Sequence, residues 1–233
     1  MALPKIKHLV FELTVPSTKK KVSYKPFTVQ EEKLLLMAKD SKDQTFISDT
    51  VKQIINNCIL DENFDTETLT TFDIEYIIVK LRAKSIGEEV DMYYIVRDKE
   101  GKEVEKIEYT IHLDDIGIKW HENHKTKFMI TDDLGVEMKY PSIGSVNIQE
   151  NEQDFVKTIA NCIKCVYDDD QVYDEFTQSE MEDFIKDLPR ASLEKIYDFF
   201  QTMPTLEHEV KVKDSQGKEH KILLKGLTSF FTL

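Results

Sequence analysis

The amino-acid sequence predicts an α+β fold in which antiparallel β-hairpins pack on several α-helices. Three observations carry this. Extended runs flank polar turn words at three places, "VPSTKK", "DKEGK" and "SQGK", which is how hairpins announce themselves. Apolar residues recur at helical spacing, as in Ile47, Val51, Ile54, Ile55 and Cys58. A length of 233 residues with 40% hydrophobic and 32% charged content suits a chain that buries a substantial core without staples.

The elements follow in chain order. Residues 5–14, "KIKHLVFELT", and 20–27, "KKVSYKPF", read as strands, and their lysine-rich flanks suit a blunted sheet edge. Thr28 then opens a helix, because "TVQE" is a capping box in which Thr28 and Glu31 exchange side-chain and backbone bonds. Phe27 stands just before the cap, placed to staple onto the stem of Glu32 or onto Leu34. Leu34, Leu35, Leu36 and Met37 are consecutive, and each residue turns by about 100°, so they cannot share one stripe. Most of this helix's circumference is therefore expected to be covered, either as the central helix of the first half or by a partner.

A second helix spans about residues 44–60, followed by an acidic loop, "DENFDTE". Thr71 is placed to cap a third helix, "FDIEYIIVKLRAKSIG", with Gly87 beyond its end. Strands are expected over 88–97 and 103–112, and loops with short strands over 113–148, around the single tryptophan, Trp120. A helix is then expected over "NEQDFVKTIANCIKCVYD", striped by Phe155, Ile159, Cys162, Ile163 and Val166. Beyond the acidic loop "DDDQVYDE" come short helices at 178–187 and 191–202, parted by Pro189. A closing hairpin and an apolar tail, "TSFFTL", follow. The expected division is 1–112, 113–148 and 149–233.

The chain echoes itself. "VKQIINNCI" at 51–59 resembles "VKTIANCI" at 156–163, and the hairpin tips "VRDKEGKE" and "VKDSQGKE" share V-[RK]-D-x-x-G-K-E. Two readings stand: a duplicated unit of helix, acidic loop, helix and hairpin, or recurring helix words and common turn residues.

A net charge of −13, from 31 basic and 44 acidic residues, disfavours phosphate backbones and anionic membrane surfaces. It suits basic protein partners or solubility. Three cysteines do not make a secreted disulfide scaffold, and "MALPKIKHLVFEL" lacks the apolar core of a secretory leader. No run approaches the ~20 apolar residues that span a bilayer. A reducing intracellular setting is the expectation, with neither nucleic acid nor membrane as partner.

Motifs tested for chemistry favour structural roles. Cys162 and Cys165 form C-x-x-C, but in the expected middle of a helix, with Cys162 on the apolar stripe; core packing outweighs redox or metal work. "WHENH" sets His121 and His124 three apart, short of the H-E-x-x-H of zinc proteases, and reads as a surface loop. His8, His112, His208 and His220 lie in strand candidates and converge on nothing visible. No phosphate-cradling glycine loop and no nucleophile elbow is present. The carboxylate runs read as solvated faces, and "DENFDTE" lacks the glycine of a calcium loop. No cofactor is expected. The tail, with Leu223, Leu224, Leu227, Phe230, Phe231 and Leu233, reads either as core docking or as a partner-binding end, the former favoured.

The words "YKPFTVQEEKLLLMA", "VKQIINNCI", "TTFDIEYIIVKLRAKSIGE" and "FFQTMPTLEHEVKV" with "LKGLTSFF" together resemble the baseplate hub assembly proteins of T-even-like contractile-tailed bacteriophages. The similarity covers nearly the whole chain. Its motif positions fall on Pro26, Phe27, Glu31, Glu32 and Lys33, and on Lys80, Arg82, Lys84, Ser85 and Gly87. The resemblance implies a non-enzymatic subunit or chaperone of the baseplate hub, with other hub and tail proteins as partners. It would assemble in the host cytoplasm, with the virion tail baseplate as a further location. The partner-binding candidates are Lys80, Arg82 and Lys84, expected as exposed charges, and Leu227, Phe230 and Phe231. The alternatives are a hub-associated cell-wall-degrading enzyme and a degenerate zinc-ribbon module. For the latter, the hairpin tips present Asp98 and Gly101, Asp214 and Gly217, where structural zinc needs thiolates or imidazoles.

Overall fold

A computed structural model describes residues 7–41, 43–142 and 152–230 of the chain. The architecture is α+β, and every strand pairing is antiparallel. The chain begins with the hairpin β1 (Phe11–Thr14) and β2 (Lys21–Tyr24), then α1 (Val29–Asp40), α2 (Gln44–Cys58), a 3-10 turn at Thr66–Thr68, and α3 (Thr71–Ser85). Helix α3 is the central element. Its Ile74, Ile77, Ile78 and Leu81 enter one apolar cluster with α2 and the hairpin, and its Val79 and Ala83 enter a second. A helix that is buried nearly all round belongs in a core.

The sequence offers that place to α1, which lies instead at the surface. Leu34 and Leu35 are half-buried against the first cluster, while Leu36 and Met37 are exposed. The 100° advance per residue explains the split: two of the four side chains dock, and the other two must point away. The capping box of Thr28 and Glu31 forms as the sequence predicts. The cap of α3 moves by one residue, to Thr70, because Thr70 and Asp73 close a box of their own.

The long hairpin β3 (Glu89–Arg97) and β4 (Glu103–His112) follows, then a 3-10 turn at Leu113–Asp115 and the strands β5 (Gly117–Lys119), β6 (Lys127–Met129) and β7 (Gly135–Met138). Beyond them come α4 (Glu152–Cys162), β8 (Ile163–Tyr167), β9 (Val172–Tyr173), α5 (Gln178–Asp187) and α6 (Arg190–Thr202). The closing hairpin β10 (Thr205–Lys213) and β11 (Glu219–Lys225) ends in a turn at Leu227–Phe230. β6-β7-β8-β9 form one sheet, whose apolar face packs with α4, α5 and α6 into a third cluster. β10 lies between β11 and β5, so the last hairpin joins a strand from the middle of the chain.

The first hairpin is shorter than expected: among the described residues the strands read over 5–14 and 20–27 pair only over Phe11–Thr14 and Lys21–Tyr24. At one further element the expectation fails in kind. The helix expected to run through Cys165 ends at Cys162, and Ile163–Tyr167 is a strand. Ladder pairing decides this: Ile163 faces Met138, Cys165 faces Glu137 and Val166 faces Val136. The β-branched Ile163 and Val166 suit that pleated surface. The C-x-x-C pair therefore straddles a helix end and a strand rather than lying mid-helix.

The echo has a geometric counterpart. After α2, Ile59 bridges to Tyr24 and the Lys25 amide donates to the Cys58 carbonyl, 2.9 Å. After α4, Ile163 pairs with Met138 and the Lys139 amide donates to the Cys162 carbonyl, 2.7 Å. The hairpin tips match likewise. Asp98 Oδ1 accepts from the amides of Glu100 and Lys102, and Asp214 Oδ1 from those of Gln216 and Lys218. Gly101 and Gly217 take φ of +82° and +81°, a left-handed conformation that glycine adopts freely.

Candidate interaction site

A cleft of about 440 Å³ opens between α3 and the first hairpin, lined by Glu12, Leu13, Thr14, Lys21, Tyr24, Tyr76, Lys80, Lys84 and Asp114. Tyr76, Lys80 and Lys84 share one face of α3 at four-residue spacing. The 3-10 turn supplies Asp114, and the hairpin supplies the opposite wall. Lys84 forms ion pairs with Glu88 and with Asp114, the latter at 2.8 Å. Lys80 donates to the carbonyls of Leu113, 3.0 Å, and Asp114, 2.8 Å, with the Asp114 carboxylate 3.9 Å away. Burial pulls the Lys80 ammonium below its ordinary pKa, with Asp114 opposing. Burial likewise raises the hydroxyl pKa of Tyr24 and Tyr76.

The residues singled out from the sequence fall in different places. Lys80 and Arg82, expected as exposed charges, are 9% and 5% exposed. Lys80 lies in the cleft between the hairpin and the 3-10 turn, and Arg82, about 200° round the helix from it, is buried, so neither stands on the open surface. Of the three, Lys84 is the one that reaches the rim. Phe27 and Ser85, from separate motif blocks, meet directly: the Phe27 amide donates to Ser85 Oγ, 2.9 Å. Pro26 precedes it, half-buried, at the turn into α1. Glu31 caps α1 and also accepts from Asn57 of α2. Glu32 is half-buried, Lys33 is exposed, and Gly87 follows the α3 cap at φ +154°. Leu227 packs on both clusters flanking α3, and its amide donates to Glu75 Oε1, so this part of the tail docks into the core. The Phe230 side chain and Phe231 lie outside the described residues.

Sequence reasoning missed a second assembly. His124 is not in an open loop. Its ring stacks on Tyr140 and lies against Phe199, and Phe72 of α3 meets Tyr140 edge-on. Its Nδ1 is 3.0 Å from Thr202 Oγ1, and burial lowers its pKa. These rings join α3 to α6, and nothing in their sequence spacing links them. The cysteines have no catalytic setting: all three are buried, and burial pushes Cys58 and Cys162 up to about 12. Among the described residues no cluster of histidine, cysteine and carboxylate could hold a metal ion, and no helix is long and apolar enough to cross a membrane.

A family model described as T4 bacteriophage base plate protein matches residues 8–232. The chain belongs to this family. The match takes in every helix and strand described above, from β1 to the closing turn. Membership in the base plate family gives the protein a structural role in the baseplate of a T4-like phage, among other baseplate proteins. No curated protein and no solved structure matches the chain.

Proposed function

We propose that this base plate family member acts at the central hub, helping to build it or forming part of it through protein–protein contacts and without catalysis. The base plate match over 8–232 supports the baseplate part of this reading, and the resemblance of the motif blocks to hub assembly proteins supports the hub part. The clamp of Phe27 on Ser85 gives those blocks a shared structural purpose, since it fixes the hairpin and α1 against α3. The buried thiols, with Cys58 and Cys162 pushed up to about 12, support a binding role over thiol chemistry.

Mass spectrometry of purified virions beside tail-assembly intermediates tests this. Presence only in intermediates identifies an assembly chaperone, and presence in both identifies a component. Absence from both refutes the proposal. Lys84→Glu is expected to lower co-purification with hub proteins while leaving the melting temperature within a few degrees, since it sits at the cleft rim. Measurable cell-wall turnover by the purified protein would overturn the non-enzymatic part.

A further inference from the structure

We propose that the first hairpin's open edge takes an acidic, extended segment of another baseplate protein, added as a third strand beside β1 with a carboxylate seated at Lys80 and Lys84. This rests on the reading of the protein as a binding component. It names the chemistry of the partner segment.

The edge is open. Among the described residues β1 pairs only with β2. Leu60 N–H donates to Ser23 O, and the Asp61 carboxylate accepts Ser23 N–H, so the Ser23 backbone faces away from β1. Its partner Glu12 therefore stands in a non-hydrogen-bonded pair, and Glu12's own N–H and C=O face the free side. Thr14, two residues on, faces the same way. Glu12, Leu13 and Thr14 of β1 line the cleft together with Lys21 and Tyr24 of β2, so the cleft adjoins the hairpin where this edge runs. Just before β1, Leu9 and Val10 are 73% and 60% exposed, an apolar pair on the path an added strand would follow.

Charge selects the occupant. Residues 1–27 hold six lysines and one glutamate, net +5 in a chain of −13, which leaves −18 for the remainder. A basic hairpin on an acidic body attracts acidic segments and repels basic ones. Lys80 adds a directed contact. An ammonium has three donors, and two are spent on the carbonyls of Leu113 and Asp114, with the nearest carboxylate oxygen at 3.9 Å. An incoming carboxylate completes that set.

The probe is a blocked peptide of about seven residues alternating Glu and Val, titrated into the full-length protein by fluorescence anisotropy, beside its Lys/Val counterpart. The Glu/Val peptide is expected to bind at least about tenfold tighter, and to weaken between about 50 mM and about 500 mM salt. Glu12→Pro removes the outward N–H and leaves the β1–β2 ladder intact. It is expected to weaken binding about tenfold although it deletes a negative charge, whereas Glu12→Gln is expected to hold or tighten it. Should Glu12→Pro not fold, amide exchange at Glu12 and Thr14 of the wild-type protein decides, since strand addition slows both. Equal binding of the two peptides, or unaltered exchange at those amides, overturns the proposal. A dimer of this chain that the Glu/Val peptide dissociates would assign the edge to a second copy and overturn it equally.

Discussion

At the scale of residues, Asp73 and His124 show how single buried polar groups hold the core in place. Asp73 is fully buried and accepts from the Ser17 amide, the Thr70 amide and the Thr70 hydroxyl. It thus ties the first hairpin's turn to the start of α3. Asp73→Ala leaves those amides unpaired and is expected to cost about 2–4 kcal/mol, read as a lower urea midpoint. This bond was half legible. Thr70 and Asp73 have the capping-box spacing, and Thr71 has Ile74 at that position instead. The Ser17 contact crosses 56 residues, and no local pattern encodes it. His124 gives a pH signature. Its folded pKa lies below the unfolded value of about 6.5, so above that pH it contributes no dependence. As pH falls through about 6.5 the unfolded chain takes the proton first, and stability drops until the folded pKa is passed. His124→Phe is expected to flatten the slope of unfolding free energy between about pH 5 and 7, measured against wild type. A slope unchanged by the substitution would place the protonation elsewhere.

At the scale of elements, the sheet of the second half turns on one glycine. Gly135 of β7 faces Tyr167 of β8, and a methyl group at Gly135 would fall 2.2 Å from the tyrosine ring. The ring fills the space a side chain would take, and Lys127 Nζ sits 4.3 Å from its centroid. Gly135→Ala must push the ring aside and is expected to cost about 1–3 kcal/mol, with a changed tyrosine environment in near-ultraviolet circular dichroism. The helices α5 and α6 of this half were legible to within a residue, because Pro189 parts them locally. The end of α4 was not. Its apolar stripe runs on without a break through Val166, and only the ladder with β7 converts the last turn into strand. Periodicity identifies what a segment buries, while pairing partners decide its backbone.

At the scale of the whole molecule, the two long hairpins lie side by side and are fastened at their far ends. The Ser215 amide and hydroxyl both donate to the Glu105 carboxylate, and Tyr94 packs on the His220 ring. His220 in turn bonds to Asp214, 2.9 Å, whose pKa is lowered by that bond and then by the Lys218 amide. Glu105→Ala is expected to loosen the tips by about 0.5–1.5 kcal/mol, seen as faster amide exchange at the two turns with little change at α3. Of the two, β3–β4 was read to within a residue, since alternation and turn words are local. Their mutual packing was not, nor was the cleft. Lys80 looked exposed because helix cations usually are, and the groups that cover it come from residues 12–24 and 113–114. The lines of force that define the candidate site run between segments some thirty to a hundred residues apart.

The matched thiols offer a clock. Cys58 and Cys162 stand at the same place in the two echoed units, each at the end of a helix, buried, and held up to about 12. Neither presents a thiolate to an alkylating reagent until its surroundings part. Rates of labelling, resolved by peptide mass, therefore time the opening of each half separately, with no added probe. Equal rates would mean that the two units open together, and unequal rates would show which one yields first.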